Sequence, residues 1–298
     1  MKYAVISFVL LFCNLAFPAT LVNRWTMDDN AANSTITDSV GSVNGTLYFF
    51  PAGDEVGDFE FDAVQQNTSV QHITGLLNGA IDFTENDYCP TEIMYQTVVL
   101  PANFKAVFSA DYTVTYLFKG SERCDGRLAG SVMASGGSNV APNTLIDIAT
   151  LYHAQSYWKD GVRHLIIVIE NVPEAFDGQW CFYSHRVTQA ESGVRVRIGI
   201  NGLDYNDVTV ADYNMADYAA AGNRFGSTFL ASYNSWGGMA GETSVGVADE
   251  AFKCQLDDIR IYTGALSDAD IQTLVESYGL TYDGASNELC NCNKRLME

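Results

Sequence analysis

Short runs of alternating apolar and polar residues, separated by clusters of Gly, Asn, Asp and Ser, recur along this chain. In the clearest run, residues 194–200 (VRVRIGI), every second residue is Val or Ile, and Arg195 and Arg197 stand between them. A period of two places the apolar side chains on one face of a β-strand. Repeated runs of this kind predict an all-β protein, a two-sheet antiparallel β-sandwich.

The same pattern assigns strands to segments spread from one end of the chain to the other. One of them, residues 163–172, is a nearly continuous apolar run, as expected of a strand that is buried on both faces. The predicted strands are residues 21–27, 46–50, 80–83, 95–100, 112–118, 163–172, 194–200, 228–233 and 252–262.

One segment near the carboxyl end has a helical pattern instead. Ser267 is expected to cap this helix, because Asp270 can complete a capping box with it, and Leu266 and Ile271 are spaced for the accompanying apolar contact. Gly279 is expected to end the helix. The sequence therefore predicts one short amphipathic C-terminal helix. Its apolar stripe consists of Ile271, Leu274, Val275 and Tyr278.

The first residues have the layout of a secretory signal peptide. Lys2 supplies a positive start, and residues 3–17 form a mostly apolar run that is too short to span a bilayer comfortably. The alternative is a buried N-terminal strand. The predicted organisation is a signal peptide at 1–19, one β-sandwich domain at 20–282 and a cysteine-containing tail at 283–298. We therefore expect a secreted, extracellular protein with no membrane span.

Cysteine usage agrees with export. Of the 7 cysteines, Cys13 lies in the predicted signal peptide. The others are an even number in an oxidising compartment, so disulfides are expected, although the sequence cannot choose their pairing. A zinc site is the competing interpretation, but Cys290 and Cys292 are a single short pair with no second pair or His at ligand spacing. The predicted disulfide residues are Cys89, Cys124, Cys181, Cys254, Cys290 and Cys292.

Asn-x-Ser/Thr sequons occur in the N-terminal third of the chain, at Asn33, Asn44 and Asn67. Such sites accept N-linked glycans in exported proteins where they lie on the surface. The sequence therefore predicts glycosylated surface loops at these positions.

The chain is strongly acidic, with 16 Lys and Arg against 36 Asp and Glu and a net charge of −20. Nucleic acid and anionic membranes are poor partners for such a surface. Cations are plausible partners, calcium above all, because calcium prefers carboxylate and carbonyl oxygens. The simpler interpretation is that the charge keeps an exported protein soluble.

Motifs of a recognisable kind follow one another along the chain. They are LVNRWTMDDNAANSTITDSVGSVNGTL (21–47), LNGAIDFTENDY (77–88), YTVTYLFKG (112–120), GQWCFYSHRVTQAESGVRVRIGINGLD (178–204) and LDDIRIYTGALSDADIQTLV (256–275). Together, in this order, they resemble the laminin-G-like jelly-roll domain of the concanavalin A-like lectin/glucanase superfamily. The resemblance implies a jelly-roll sandwich. The sequence departs from the family's pattern at Cys181, where the motif has His, and at long insertions over 51–76 and 119–161.

The resemblance also implies a structural calcium site. Domains of this family often hold calcium between the acids of the first strand and the closing strand, and the matching positions are Asp28 or Asp29, Asp38 and Asp257. These residues can meet only if the first and last strands are neighbours. A cation would explain why Asp257 has the parity of the isoleucines in its strand, where a buried unpaired charge is costly. The alternative is that Asp257 accepts backbone hydrogen bonds or pairs with an arginine such as Arg24.

Catalytic patterns are scarce. The sequence has no Glu-x-Asp-x-x-Glu run to supply paired glycosidase carboxylates and no Gly-x-Ser-x-Gly nucleophile elbow. The scattered histidines, His72, His153, His164 and His185, form no zinc-binding pair and are expected to be ordinary strand or loop residues. The alternative function is nevertheless a carbohydrate-active enzyme, a glycosidase or lyase, with an acid–base pair drawn from Glu170, Glu174 and Asp177 in the loop insertions.

Exposed aromatic residues favour a binding function. Trp236 lies in a Gly-rich loop, and Tyr157 and Trp158 end the longer insertion, so these are the candidate contacts for a glycan or an extracellular protein, with core packing as the alternative for each. Trp25 and Trp180 carry the family's core pattern and are expected to be structural.

The leading prediction is a secreted laminin-G-like recognition or adhesion module that contains calcium. A purely structural coat protein is a further alternative. Arg195 and Arg197 could meet an acidic glycan, although a solvated face is the simpler interpretation.

Overall fold

The structure is a computed structural model. The residues it describes are 18–50, 64–84, 87–89, 92–100, 110–120, 129–135, 143–147, 152–159, 162–170, 178–211, 228–230, 232–233, 250–251 and 254–283. The predicted signal peptide up to residue 17 and the predicted tail from residue 284 therefore lie outside the described residues.

Within the described residues, β-strands account for nearly all of the regular structure. In chain order the elements are β1 (Thr20–Trp25), β2 (Thr35–Ile36), β3 (Gly45–Phe50), β4 (Val64–Gln65), α1 (Thr68–Gln71), β5 (His72–Thr74), β6 (Gly79–Asp82), β7 (Asp87–Cys89), β8 (Glu92–Leu100), β9 (Tyr112–Gly120), β10 (Ala129–Ser135), β11 (Asn143–Asp147), β12 (Tyr152–Lys159), β13 (Val162–Glu170), β14 (Trp180–Ala190), β15 (Gly193–Ile200), β16 (Leu203–Ala211), β17 (Thr228–Leu230), β18 (Ser232–Tyr233), β19 (Glu250–Ala251), β20 (Cys254–Thr263) and α2 (Asp268–Ser277).

The described strands form two large antiparallel sheets. Sheet A has eight strands in the order β16-β15-β14-β9-β20-β6-β5, with β1 also paired to β20. Sheet B has ten strands in the order β13-β12-β11-β10-β17-β8-β3-β2, with β4 paired to β3 and β7 to β8. A two-stranded sheet joins β18 and β19. The predicted fold class, an antiparallel β-sandwich with a short C-terminal helix, is confirmed.

The two ends of the described domain meet in one strand pair. β1 runs antiparallel to β20, with Thr20 opposite Thr263 and Trp25 opposite Ile259. The first and last predicted strands are therefore neighbours, as the sequence analysis required for any site that they share.

Alternation along β9 gives sheet A two covered faces. The Tyr116 ring stacks on Tyr183 with centroids 4.5 Å apart, and it meets Phe118 edge-on at 5.9 Å. Leu117, between them in the sequence, packs instead with the residues around the C-terminal helix. Successive strand residues point to opposite faces, so one face carries the aromatic core and the other carries the helix.

The C-terminal helix forms as predicted. The Asp270 N–H donates to Ser267 Oγ at 3.2 Å, and the Ser267 N–H donates to Asp270 Oδ2 at 2.9 Å, so the capping box is complete. Gly279 follows the helix with φ 72°. The buried cluster that joins the helix to sheet A consists of Leu117, Phe182, Tyr262, Leu266, Ile271, Val275 and Tyr278.

The structure adds one further helical turn, α1, which the sequence analysis did not predict. Its four residues, TSVQ, have no apolar stripe that could signal a helix. No helix in the part of the chain that the structure describes is long and apolar enough to cross a bilayer.

The inserted segment 119–161 contributes strands as well as connections. β10, β11 and β12 come from it, and they occupy the middle of sheet B between β13 and β17. Gly- and Ser-rich stretches there resemble loops in sequence, but neighbouring strands can still supply pairing partners, because strand formation depends strongly on context.

Trp25 has the structural role that the sequence analysis expected. Its side chain is fully buried, and its Nε1 donates a hydrogen bond to the carbonyl oxygen of Val43 at 2.9 Å. Trp180 is half-buried and packs against the helix cluster.

The arginines of the clearest alternating run have acid partners inside the domain. Arg195 donates two hydrogen bonds to Asp207, at 2.7 and 2.5 Å. Arg197 donates to Asp204 at 2.9 Å through Nε and to Asp268 at 2.7 Å through Nη2. These neighbouring carboxylates neutralise the arginine face, which favours the structural interpretation over an acidic-glycan contact.

The disulfide prediction is wrong for two cysteines. Cys181 and Cys254 are both buried thiols. They lie on β14 and β20, which flank β9: Cys181 is opposite Phe118 and Cys254 is opposite Gly120. Two interstrand spacings, roughly 9–10 Å, separate such positions, which is beyond the reach of a disulfide. Burial raises the pKa of the Cys254 thiol well above its ordinary value, ahead of a smaller effect of Asp82.

The other predicted disulfide residues stay predictions. Cys89 lies at the end of β7, and its side chain is outside the described part. The remaining three, Cys124, Cys290 and Cys292, lie outside the described residues.

Candidate functional site: a loop clamped by two carboxylates

The last strand carries a β-bulge at its two adjacent acids. Asp257 lies opposite Leu117, and Arg260 lies opposite Thr115, so β20 has one more residue than β9 between these pairs. Asp258 adopts φ 41°, in the left-handed region that Asp enters more readily than most residues. A bulge of this kind turns two successive side chains toward one face of the sheet.

Because of the bulge, the sheet face predicted for Asp257 is wrong. By simple alternation Asp257 would share a face with Ile259, but the extra residue separates them. Ile259 lies opposite the buried Trp25, whereas Asp257 and Asp258 lie on the face of Leu117, which the helix covers.

Asp258 is the centre of a buried ion-pair network. Arg24 donates to it through Nε at 2.6 Å and Nη2 at 3.2 Å, and Arg260 donates through Nε at 3.0 Å and Nη2 at 2.5 Å. The Tyr278 hydroxyl adds a hydrogen bond of 2.9 Å. Burial opposes ionisation of Asp258, but the bonds from Arg260 and Arg24 outweigh it and lower its pKa. The network joins β1, β20 and α2.

Asp257 is also fully buried, but only one of its oxygens is bonded. Oδ2 accepts the backbone N–H groups of Leu76 and Leu77, both at 2.9 Å. Oδ1 has no hydrogen-bond partner. Burial, together with the charges of Asp258 and Asp28, outweighs these amide bonds and raises the pKa of Asp257 to about 6. The backbone bonds match the alternative given in the sequence analysis, except that the arginine partner belongs to Asp258.

Asp28 holds the other end of the same loop. Its Oδ1 accepts the Gly79 N–H at 2.7 Å, and the Gly75 N–H closes the loop on the Asn78 carbonyl at 3.0 Å. The loop at residues 75–79, called the clamped loop below, is therefore hydrogen-bonded to Asp257 near its start and to Asp28 at its end. These two carboxylates come from opposite ends of the chain.

Unusual backbone conformations gather at this site. Met27, Asn78 and Asp258 have φ values of 57°, 81° and 41°. Each adjoins a residue of the clamp, and Asn201 is the one further non-glycine residue with positive φ in the described part of the chain. Strained backbone of this kind persists where surrounding contacts enforce it, and it is common at functional sites.

Asp38 has a different role from the one predicted. Its two oxygens accept hydrogen bonds at 2.6–3.2 Å from the Asn23 side chain and from the N–H groups of Arg24, Val40, Gly41 and Val43. Burial opposes ionisation, but these bonds outweigh it and lower the pKa of Asp38. Asp38 therefore organises the turn after β1.

Asp29 also serves local structure. It accepts the Thr37 N–H at 2.9 Å and the Thr37 hydroxyl at 2.7 Å. The predicted grouping of Asp28, Asp29, Asp38 and Asp257 is not formed, because Asp29 binds Thr37 and Asp38 binds the turn after β1 instead. In the described parts of the chain, no group of three or more His, Cys, Asp or Glu side chains could hold a metal ion.

A cation would fit one place at this site. Asp257 Oδ1 is a buried acceptor without a donor, and the charge of Asp28 adds a smaller contribution to the raised pKa of Asp257, after burial and the charge of Asp258. Calcium takes carboxylate and backbone carbonyl oxygens, and the Gly79 carbonyl oxygen faces Gly75 beside Asp257 Oδ2. Of the four predicted calcium ligands, Asp257 and Asp28 are the two that contact the clamped loop, and a calcium ion bound there would take its remaining ligands from carbonyl groups of that loop.

The clamped loop requires glycine at its start. A Cβ on Gly75 would lie 2.4 Å from the Gly79 carbonyl oxygen and 2.6 Å from Asp257 Oδ2. Because both neighbours are held by other contacts, we expect Gly75→Ala to lower the free energy of unfolding by about 1–3 kcal/mol. Denaturant unfolding measures this, with Thr74→Ala at the exposed neighbouring position as the control. Equal stability of the two variants would show that the loop is not tightly held.

The predicted ligand-binding aromatics are not tested by the structure. Tyr157 and Trp158 lie on β12, opposite His164 and Arg163 of β13, but their side chains are outside the described part. Trp236 lies outside the described residues. All three stay predictions.

The same holds for the candidate acid–base residues, because no side chain is described for Glu170, Glu174 or Asp177. His185 is a core residue, buried and edge-on to Tyr112 at 5.6 Å between ring centroids.

The chain is similar to solved structures in its fold. No protein-family model matches the sequence, and no curated protein matches it. The binding domain of botulinum neurotoxin DC in complex with rat synaptotagmin II superposes with a TM-score of 0.51 at 14% identity, over 87% of this chain and 52% of that chain. The binding domain of botulinum neurotoxin serotype D/C VPI 5993 gives 0.51 at 15% identity, over the same shares. This chain thus spans about half the length of those structures.

Domain 4 of an extracellular arabinanase from Geobacillus stearothermophilus, in complex with arabinotriose, gives a TM-score of 0.45 at 17% identity, over 87% of this chain and 100% of that chain. The two toxin structures show that this chain has a β-sandwich fold of the type found in their binding domains.

Proposed function

We propose that the protein is an exported recognition module that binds a glycan or an extracellular protein, and that calcium stabilises the seam between its first and last strands. The observation that carries the calcium part is the unpartnered, fully buried Oδ1 of Asp257. An ionised carboxylate without a partner is costly in a protein interior. A cation between Asp257 and Asp28 would remove that cost.

The site is suited to a structural ion rather than to a ligand. Asp257 lies on the face of sheet A that the helix covers, and its bonds go to the clamped loop. When bound, calcium would supply positive charge to Asp257 and Asp28. The residues of the chain themselves fix the clamped loop and hold β1 against β20.

Recognition rests on the fold and on the sequence. The toxin domain of similar fold is a binding domain in complex with rat synaptotagmin II, which supports, for this chain, a role in binding. Sandwich frameworks commonly carry recognition on their connecting segments. Trp236, Tyr157 and Trp158 are the proposed contacts, because the sequence around Trp236 is Gly-rich and because Tyr157 and Trp158 lie near the end of β12.

A binding screen tests this proposal. The secreted protein is applied to arrays of glycans and extracellular proteins, in calcium and in chelator. We expect saturable binding that Trp236→Ala or Trp158→Ala weakens without lowering the melting temperature. Tyr48→Ala, an aromatic substitution in β3 away from these segments, is the control. Absence of binding to every array member, or turnover of a polysaccharide by the wild-type protein, would contradict the proposal.

A further inference from the structure

The three sequons lie close together on one end of the domain. The Thr68 N–H, next to Asn67, donates to the Asn33 carbonyl at 2.8 Å. Thr35, two residues after Asn33, lies opposite Thr46, two residues after Asn44, in the β2–β3 pair. By this register Asn33 and Asn44 are offset by about four residues, roughly 13 Å along the strands. Nothing in the linear sequence requires such a cluster.

The asparagine side chains are presented in a way that suits glycosylation. All three are exposed. The side-chain oxygen of Asn33 accepts the Thr35 N–H at 2.9 Å, and that of Asn44 accepts the Asp38 N–H at 3.0 Å. A glycan attaches to the amide nitrogen, so each oxygen can keep its hydrogen bond after modification.

The same end of the domain carries exposed apolar side chains. Val40 is 48% exposed and Val70 is 65% exposed, and they are the large exposed hydrophobic residues of the described chain. Val40 lies in the turn that Asp38 organises, four residues before Asn44, and the Val70 N–H donates to the Asn67 carbonyl at 3.1 Å.

A sheet edge lies beside these side chains. β2, which carries the hydroxyl residue of the first sequon, lies at one end of sheet B and is only two residues long. Its Thr35 N–H is already bonded to the Asn33 side chain, so the exposed apolar side chains, rather than the strand edge, are the feature that promotes contact between molecules.

We propose that Asn33, Asn44 and Asn67 carry N-linked glycans that form one shield over Val40 and Val70, and that this shield prevents self-association. The proposal rests on the export part of the proposed function. The donor in each transfer is an oligosaccharide linked to a lipid through a diphosphate. A bond forms between Asn Nδ2 and the anomeric carbon of the oligosaccharide, and the bond from that carbon to the diphosphate oxygen breaks. The lipid diphosphate leaves, and the amide nitrogen loses one proton. The recognition surface is then expected on another part of the domain.

The test removes sequons without removing asparagines. Thr35→Val, Thr46→Val and Ser69→Ala each abolish one acceptor and leave the hydrogen bonds of the Asn side chains in place. Thr209→Val, on an exposed strand position outside any sequon, is the matched control. Each protein is secreted from a glycosylating host, once with residues 1–19 and once with these replaced by a well-characterised leader, and intact mass and sedimentation are measured.

We expect three glycans on the wild-type and control proteins and the loss of one glycan mass in each single variant. The triple variant should self-associate, and adding Val40→Ser and Val70→Ser should reverse this. If the triple variant does not fold, the folded wild-type protein is trimmed with an endoglycosidase instead. The trimmed protein should then self-associate.

Unoccupied sequons in protein secreted with the replacement leader, or a trimmed protein that stays monomeric, would overturn the proposal. Glycosylation with the replacement leader alone would instead contradict natural export and leave the shield standing.

Discussion

Asp258→Asn should lower the free energy of unfolding by about 3–5 kcal/mol, the usual cost of removing one member of a buried ion-pair network. The substitution leaves Arg24 and Arg260 without their shared carboxylate, and the Arg260 side chain is only 15% exposed. Asparagine tolerates the left-handed φ at this position and can still accept the Tyr278 hydroxyl. The expected loss therefore reflects the missing charge rather than a change of backbone. Chemical denaturation monitored by circular dichroism measures it.

Asp207→Asn is the matched control. Asp207 and Arg195 form a bidentate pair, but their side chains are 43% and 47% exposed. Exposed pairs contribute little, so the control should lose less than about 1 kcal/mol. If the Asp258 variant lost no more than the control, the network would not be what fastens β1 and α2 to β20.

Asp257→Asn should stabilise the protein in chelator and destabilise it in calcium. Burial first, and then the charges of Asp258 and Asp28, raise the pKa of Asp257 to about 6 in the folded state, whereas an unfolded Asp has a pKa of about 3.9. A raised pKa means that the folded state binds the proton more tightly. The favourable contribution of protonated Asp257 is present below about pH 4 and is lost as the pH rises through about 6.

The difference between the two proteins therefore depends on pH. In chelator at about pH 7.5, the ionised carboxylate costs roughly 3 kcal/mol relative to its neutral form, and the neutral amide avoids that cost. The advantage of Asp257→Asn should disappear toward about pH 4. Unfolding free energies measured across this range, with and without calcium, check the prediction. A pH-independent difference in chelator would contradict an ionised, unpartnered Asp257.

Features that depend on neighbouring residues were predictable from the sequence. The alternation at 194–200 gave a strand, and the Ser267–Asp270 spacing gave the capped helix, because both patterns are set by local geometry. The pairing of β1 with β20 followed from the resemblance. The turn at Asp38 also had a readable signal: an Asp followed by a Gly three residues later is typical of a side chain that accepts backbone bonds in a turn.

Features that depend on distant contacts were not predictable. The bulge at Asp258 forms where Arg24 from β1 and Tyr278 from α2 both reach the same carboxylate. The two adjacent acids indicated that the alternation breaks in this strand, but they did not indicate where the extra residue lies or toward which face it turns the side chains. The even number of cysteines likewise did not reveal that Cys181 and Cys254 are buried thiols, because their burial depends on where β14 and β20 lie in sheet A.

Calorimetric titration of calcium into the chelator-treated protein measures whether the residues after the first strand and those of the last strand share an ion. We expect saturable heat from one site in the wild-type protein, unchanged heat in Asp29→Asn, and none in Asp257→Asn. At a calcium concentration of 100 times Kd, the melt should also show stabilisation of about 2.7 kcal/mol. No heat in the wild-type protein, or equal heat in Asp257→Asn, would contradict a shared ion.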